Sequence, residues 1–146
     1  MNLFFDTSAL VKYFHYEIGT EQVYDLIDNS LHSIWILELA RTEFLSALLK
    51  KYRTRHIDEI QLQTAITGFE ATVSQFHIEP LGHVVTQEAN RLLKKYGKTD
   101  GLRTLDALQL GAFTLLADKD WQFVVADKTL GYIAQCENHS VVFISK

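Results

Sequence analysis

Short apolar runs alternate with longer helical patterns along the whole chain, and this alternation restricts the fold more than any other feature. Leu3-Phe4-Phe5, Ser33-Ile34-Trp35-Ile36, Phe123-Val124-Val125-Ala126 and Val141-Val142-Phe143-Ile144 read as strands, with His77-Ile78-Glu79 as a weaker one. A strand with one face in water alternates apolar with polar residues. Runs that are nearly all apolar indicate a strand covered on both faces. Helical patterns fill the intervals. They span about Ser8 to Tyr16 and Thr20 to Asp28, divided at Gly19, and a further one passes through Glu43 to Tyr52. Leu62, Ile66, Phe69, Val73 and Phe76 recur at alternating spacings of four and three, the period of a long amphipathic helix. Ala89, Leu92, Leu93 and Tyr96 mark another, which Gly97 is expected to cap. Another runs from about Thr104 to Leu116, and a short helix separates the last two strands. Strands joined through helices pair in parallel. The expected fold is therefore α/β: a central, mainly parallel five-stranded sheet in a three-layer α/β/α arrangement. In such sheets ligands bind at the carboxyl ends of the strands.

The length of 146 residues suits one domain spanning 1–146, with no repeat or linker. A chain of this size needs no disulfide or structural metal to fold. Its single cysteine, Cys136, allows no internal disulfide, and a reducing cytoplasmic setting is expected. Asp6 interrupts the only apolar run near the start, so no signal peptide or membrane span is expected. The formal net charge of −4 argues mildly against a general nucleic-acid binder. The basic residues are clustered, however: Lys50, Lys51, Arg53, Arg55 and His56 form one group, and Lys94, Lys95, Lys98 and Arg103 a second.

Four carboxylates stand in unusual places. Asp6 ends the first strand and Asp127 ends the fourth, which puts both at the edge where ligands bind. Helix capping explains either one alone. Glu43, in ARTEF, shares a helical face with Ile36, Leu39, Ala40, Ser46 and Ala47, so it is expected to be half-buried among small or apolar neighbours. A buried carboxylate must be paired or bind metal. An arginine partner, Arg41 or Arg103, is the structural alternative. Asp106, in GLRTLDALQLGAF, has Leu102, Leu110 and Phe113 as helical neighbours and also lies in a first turn, where the helix dipole favours an acid.

If these acids converge, their mutual repulsion opposes joint ionisation, and a divalent cation relieves it. Hard oxygen donors without Cys or His suit Mg²⁺ or Mn²⁺ rather than zinc. Such a site suits phosphoryl chemistry. Thr7 and Ser8 stand ready to orient Asp6, although Ser8 also suits a helix cap.

DTSALVKYF, ARTEF, GLRTLDALQLGAF and FVVADKTLGYIA, in this order, resemble the motifs of the PIN-domain family, and within it the VapC-type toxins of toxin–antitoxin pairs. The resemblance covers essentially the whole chain. It implies a Mg²⁺- or Mn²⁺-dependent ribonuclease, often a homodimer, held inactive by a small antitoxin whose other end binds operator DNA. It maps the family's acidic quartet onto Asp6, Glu43, Asp106 and Asp127, and its hydroxyl residue onto Thr7 or Ser8. Val125 stands where such chains often carry Thr or Ser, and Gly111 where alanine is usual, a change expected to matter little. On this reading Lys50, Lys51, Arg53 and Arg103 guide RNA, with solvated helix ends as the plain alternative. Two other functions stand beside it. One is a non-catalytic RNA- or protein-binding PIN-like domain. The other is a haloacid-dehalogenase-like phosphatase, which usually wants a second aspartate where this chain has Ser8.

Overall fold

The computed structural model describes all 146 residues. Its elements are β1 (Asn2–Phe5), α1 (Thr7–Phe14), α2 (Thr20–Ile27), β2 (Ser33–Leu37), α3 (Leu39–Arg53), α4 (Glu59–Val73), β3 (His77–Glu79), α5 (His83–Tyr96), α6 (Thr104–Leu116), β4 (Trp121–Val125), α7 (Lys128–Cys136) and β5 (Val141–Phe143). The five strands lie in the order β3-β2-β1-β4-β5, and every pairing is parallel. The mainly parallel sheet expected from the apolar runs is therefore wholly parallel.

The period-two geometry of a strand sends successive side chains to opposite faces. Leu3, Phe5, Ile34, Ile36, Val124 and Ala126 enter one core with Leu10, Phe44, Leu48 and Phe69 from α1, α3 and α4. Phe4, Leu37, Phe123 and Val125 enter the other with Leu92, Leu110, Phe113 and Ile133 from α5, α6 and α7. The helices between β1 and β3 thus cover one face, and those between β3 and β5 cover the other. The winding direction reverses between β1 and β4. A sheet of this kind opens a crevice at such a switch point, beyond the carboxyl ends of its strands. Asp6 and Asp127 follow those two strands.

One local expectation changes. The α4 stripe stops short of Phe76, because the chain turns after Val73; Leu62, Phe69 and Val73 are buried, and Ile66 and Phe76 are partly so. The aromatics in and just after α1 mostly fill the core: Phe14 packs edge-on against Phe44 and Phe69, and Tyr16, beyond the helix, stands well exposed. Gly97 caps α5 as expected, with right-handed helical angles (φ −67°), and the left-handed residue comes later, at Gly101 (φ 69°).

Gly111 lies where α5 and α6 meet. A Cβ there would lie 3.1 Å from the Ala89 backbone nitrogen, so its absence allows α5 and α6 to approach closely. Gly19, before α2, has φ 95°, and a Cβ there would lie 2.4 Å from the Ser145 carbonyl oxygen. Gly19→Ala is expected to lower stability by about 2 kcal/mol, because left-handed strain and a backbone clash act together. Denaturant unfolding checks this; an unchanged midpoint and slope would contradict it.

Candidate active site

Asp6 is placed by the end of β1. Its amide donates to the Val124 carbonyl at 2.9 Å, which continues the β1–β4 ladder by one bond. Its side chain caps α1: Oδ2 accepts from the Ser8 amide at 3.1 Å and the Ser8 hydroxyl at 2.6 Å. The Ser8 hydroxyl also accepts from the Ala126 amide at 3.0 Å. Ser8 therefore ties the ends of β1 and β4 together, next to Asp127. Asp127 caps α7, with Oδ1 accepting from the Leu130 amide at 2.9 Å. The capping reading holds for both aspartates, but each uses only one oxygen. Asp6 Oδ1 and Asp127 Oδ2 accept no hydrogen bond from the chain.

Glu43 and Asp106 come from opposite faces of the sheet. Glu43 lies near the start of α3, half-buried. Its Oε1 accepts from the Thr7 hydroxyl at 2.9 Å and from Gln109 Nε2 at 2.7 Å. Neither Arg41 nor Arg103 forms an ion pair with it, so the alternative of an arginine partner does not hold, and neutral donors engage the carboxylate instead. Asp106, also half-buried, lies in the first turn of α6 and accepts no hydrogen bond from the chain. It lines a cavity of about 230 Å³ together with Asp100, Arg103, Asp127 and Thr129.

The four acids act on one another electrically. Burial raises the Asp6 carboxyl from 3.8 to about 7; the two Ser8 hydrogen bonds oppose the rise, and the charges of Asp106 and Glu43 add to it. Asp106 is also raised, first by burial, then by Asp127 and Glu43, with Arg103 opposing. No lysine or arginine forms an ion pair with any of the four. A folded chain rarely leaves clustered, buried carboxylates without a cation.

A family model described as "PIN domain" matches residues 3–116. The chain belongs to the PIN-domain family. By sequence no curated protein matches it. Its fold is similar to that of VapBC2 from Rickettsia felis bound to a promoter DNA fragment, with a TM-score of 0.68 and 14% identity over 99% of this chain and 100% of that one. FitAcB from Neisseria gonorrhoeae aligns with a TM-score of 0.70 and 13% identity over 95% of each chain. DNA-bound VapBC from Salmonella typhimurium aligns with a TM-score of 0.66 and 10% identity over 98% of each. At these identities the likeness is one of fold.

PIN domains usually use a divalent metal. No three Asp, Glu, His or Cys side chains stand arranged as a ready metal cage. The donor chemistry nonetheless fits a hard cation, because Mg²⁺ is commonly held by one or two carboxylates and several waters. At the switch point the charges of Asp106 and Glu43 act on Asp6, and those of Asp127 and Glu43 act on Asp106.

The other sequence candidates divide. Thr7 bonds Glu43 and Ser8 bonds Asp6, so both hydroxyls belong to the cluster, although only Ser8 touches Asp6. Arg103 lines the same cavity as Asp106 and Asp127. Lys50, Lys51 and Arg53 do not join it. They lie on the last turns of α3, roughly 10–15 Å along the axis from Glu43, at 1.5 Å per residue. Lys51 instead pairs with Glu17 at 3.4 Å. In the second basic cluster, Lys95 is engaged by Glu137 at 2.8 Å.

Gln109 was missed by sequence reading. It is fully buried, and Nε2 reaches both Thr7 Oγ1 (3.1 Å) and Glu43 Oε1 (2.7 Å). The available signal was an amide inside the apolar run LDALQLGAF, one helical turn after Asp106.

Proposed function

We propose that the chain is a Mg²⁺- or Mn²⁺-dependent endoribonuclease, the toxin of a type II toxin–antitoxin pair. One observation carries this: carboxylates from both faces of the sheet crowd the β1–β4 switch point, and no lysine or arginine pairs with them. Asp6, Glu43, Asp106 and Asp127 are the proposed catalytic and metal-holding residues. When bound, the ion activates a water and offsets the charge that gathers on a phosphodiester. Asp6 and Asp106 hold it with oxygens left free of hydrogen bonds. Glu43 would offer its free oxygen to the same ion, and Asp127 would accept a hydrogen bond from the attacking water. Thr7 and Ser8 fix Glu43 and Asp6 respectively, and Arg103 binds a phosphate at the rim.

Partners follow from the same reading. RNA is the substrate, and a small cognate antitoxin covers the site in the resting pair; a solved structure of similar fold is described as a toxin–antitoxin complex from Klebsiella pneumoniae. DNA contact falls to the antitoxin, since this chain is acidic. We propose a homodimer acting in the cytoplasm.

The test is cleavage of structured and single-stranded RNA by the purified chain with Mg²⁺ or Mn²⁺. Cleavage that stops in EDTA is expected. Equal cleavage in EDTA, or turnover of phosphate monoesters in preference to RNA, would overturn the proposal. Arg103→Ala is expected to weaken RNA affinity and reduce the slope of log affinity against log salt by about one. Lys50→Ala and Arg53→Ala are expected to change little. Binding isotherms at several salt concentrations check this, and the reverse ranking would contradict it.

A further inference from the structure

The amide of Gln109 lies at the centre of a triangle of hydrogen bonds. Its Nε2 donates to Thr7 Oγ1 and to Glu43 Oε1, and Thr7 Oγ1 donates to the same Glu43 oxygen. Three elements are joined there: the start of α1, the first turns of α3, and α6. The amide orientation is dictated by its neighbours, because turning it over would set its oxygen against a carboxylate oxygen. In the orientation found, Gln109 Oε1 is buried and has no hydrogen-bond partner. A position selected for packing alone would favour leucine, as at Leu108 and Leu110 on either side. Burying an amide with half its polar capacity unused is unfavourable. Something other than packing must favour it.

We propose that Gln109 is a positioning residue of the acidic site. Together with Thr7 it immobilises Glu43 Oε1, so that Oε2, which accepts nothing from the chain, is the oxygen offered to a divalent ion. This rests on the metal-dependent reading above and adds to it a residue outside the acidic quartet. The chemistry of the donor matters. A lysine or arginine in this place would orient Glu43 equally well, but would cancel its charge and compete with the ion. A neutral amide fixes the carboxylate and leaves its charge available. Gln109 also stands one turn after Asp106 on the same helix, so α6 supplies one acid and the group that holds another.

The experiment measures Mn²⁺ binding by water-proton relaxation for the parent and for Gln109→Met, which keeps the length of the side chain and removes both donors. Gln109→Leu is the second variant. Mn²⁺ affinity is expected to fall about 10–100-fold, the usual effect of removing a group that orients a metal ligand. The Mn²⁺ concentration for half-maximal RNA cleavage should rise by the same factor, while the rate at saturating Mn²⁺ stays near the parent's. Melting in EDTA should be unchanged or higher, because an unpartnered buried carbonyl is removed. Thr7→Val combined with Gln109→Met should cost less than the sum of the two single changes, since both act through one oxygen. Equal Mn²⁺ affinity in parent and variants would overturn the role of Gln109 alone. A lower plateau rate with unchanged affinity, or loss of folding in both variants, would make the residue structural and also overturn it. A folded parent that binds no Mn²⁺ would remove the nuclease reading itself, and this inference with it.

Discussion

Replacing Asp6 by asparagine is expected to lower Mg²⁺-dependent RNA cleavage by about 10²–10³-fold, the scale on which single electrostatic groups act in active sites. The substitution keeps the shape of the side chain and an oxygen for the Ser8 amide and hydroxyl, so α1 stays capped. It removes the charge that the switch point is built around. Asp6 is the most buried of the four acids, with 4% of its surface exposed, so solvent cannot substitute for it. Steady-state cleavage of one RNA at saturating Mg²⁺ reads the effect. A variant that remains as fast as the parent would show that the chemistry lies elsewhere.

The same substitution is expected to stabilise the metal-free chain, and by an amount that depends on pH. The Asp6 carboxyl lies at about 7 in the folded chain and at 3.8 when unperturbed. Between those values the folded state holds a proton that the unfolded state has released. Its contribution is therefore most favourable at low pH and is lost as pH rises towards 7. Above that, the folded chain carries a buried charge at a cost of up to about 4 kcal/mol, from 1.36 kcal/mol per unit. Asp6→Asn removes this cost. In EDTA at pH 8 the variant is expected to melt several degrees above the parent, and the gap should close as pH falls towards 4. Saturating Mg²⁺ should reverse the order at pH 8, because the ion binds the folded parent more tightly than the variant. A gap that is constant across pH, or absent, would contradict the burial argument.

Loss of function together with gain of stability is the signature of a site whose strain is retained for chemistry. The cores on either side show no such conflict. They are filled by large apolar side chains, with Phe4, Phe5, Phe44, Phe113 and Phe123 fully enclosed. Gly19 serves packing where a Cβ would collide with a neighbouring backbone, and at Gly111 a Cβ would make a tight contact with α5.

The sheet was legible because strands buried on both faces lose their polar alternation, and four apolar runs with a weaker fifth, separated by helical periods, leave few other folds. The α6 limits, Thr104 to Leu116, could be read directly from the sequence. Phe76 was misplaced because hydrophobic period alone does not show where a helix stops; the turn after Val73 lets Phe76 reach the core from outside it. Gly97 caps α5 as read, with right-handed angles, whereas the left-handed residue is Gly101, which no helical period marks. The acids were visible as charges where apolar neighbours demand a reason. Their supporting bonds were not. Thr7 pairs with Glu43 rather than Asp6, and Gln109 lies 66 residues from the glutamate it holds, so no local pattern joins them. The basic residues differ in their distance from the acids. A cluster along the sequence of α3 lies on turns that lead away from the crevice, whereas the single Arg103 enters it.

The most direct measurement is calorimetric titration of Mn²⁺ into the metal-free chain near pH 7, in two buffers of different ionisation enthalpy. Saturable binding is expected, with release of protons as the cation displaces the proton held by the raised carboxyls, and with binding lost in both Asp6→Asn and Asp106→Asn. A folded chain that binds no Mn²⁺, or that binds it equally well after both substitutions, would show that these four carboxylates do not form one cation site.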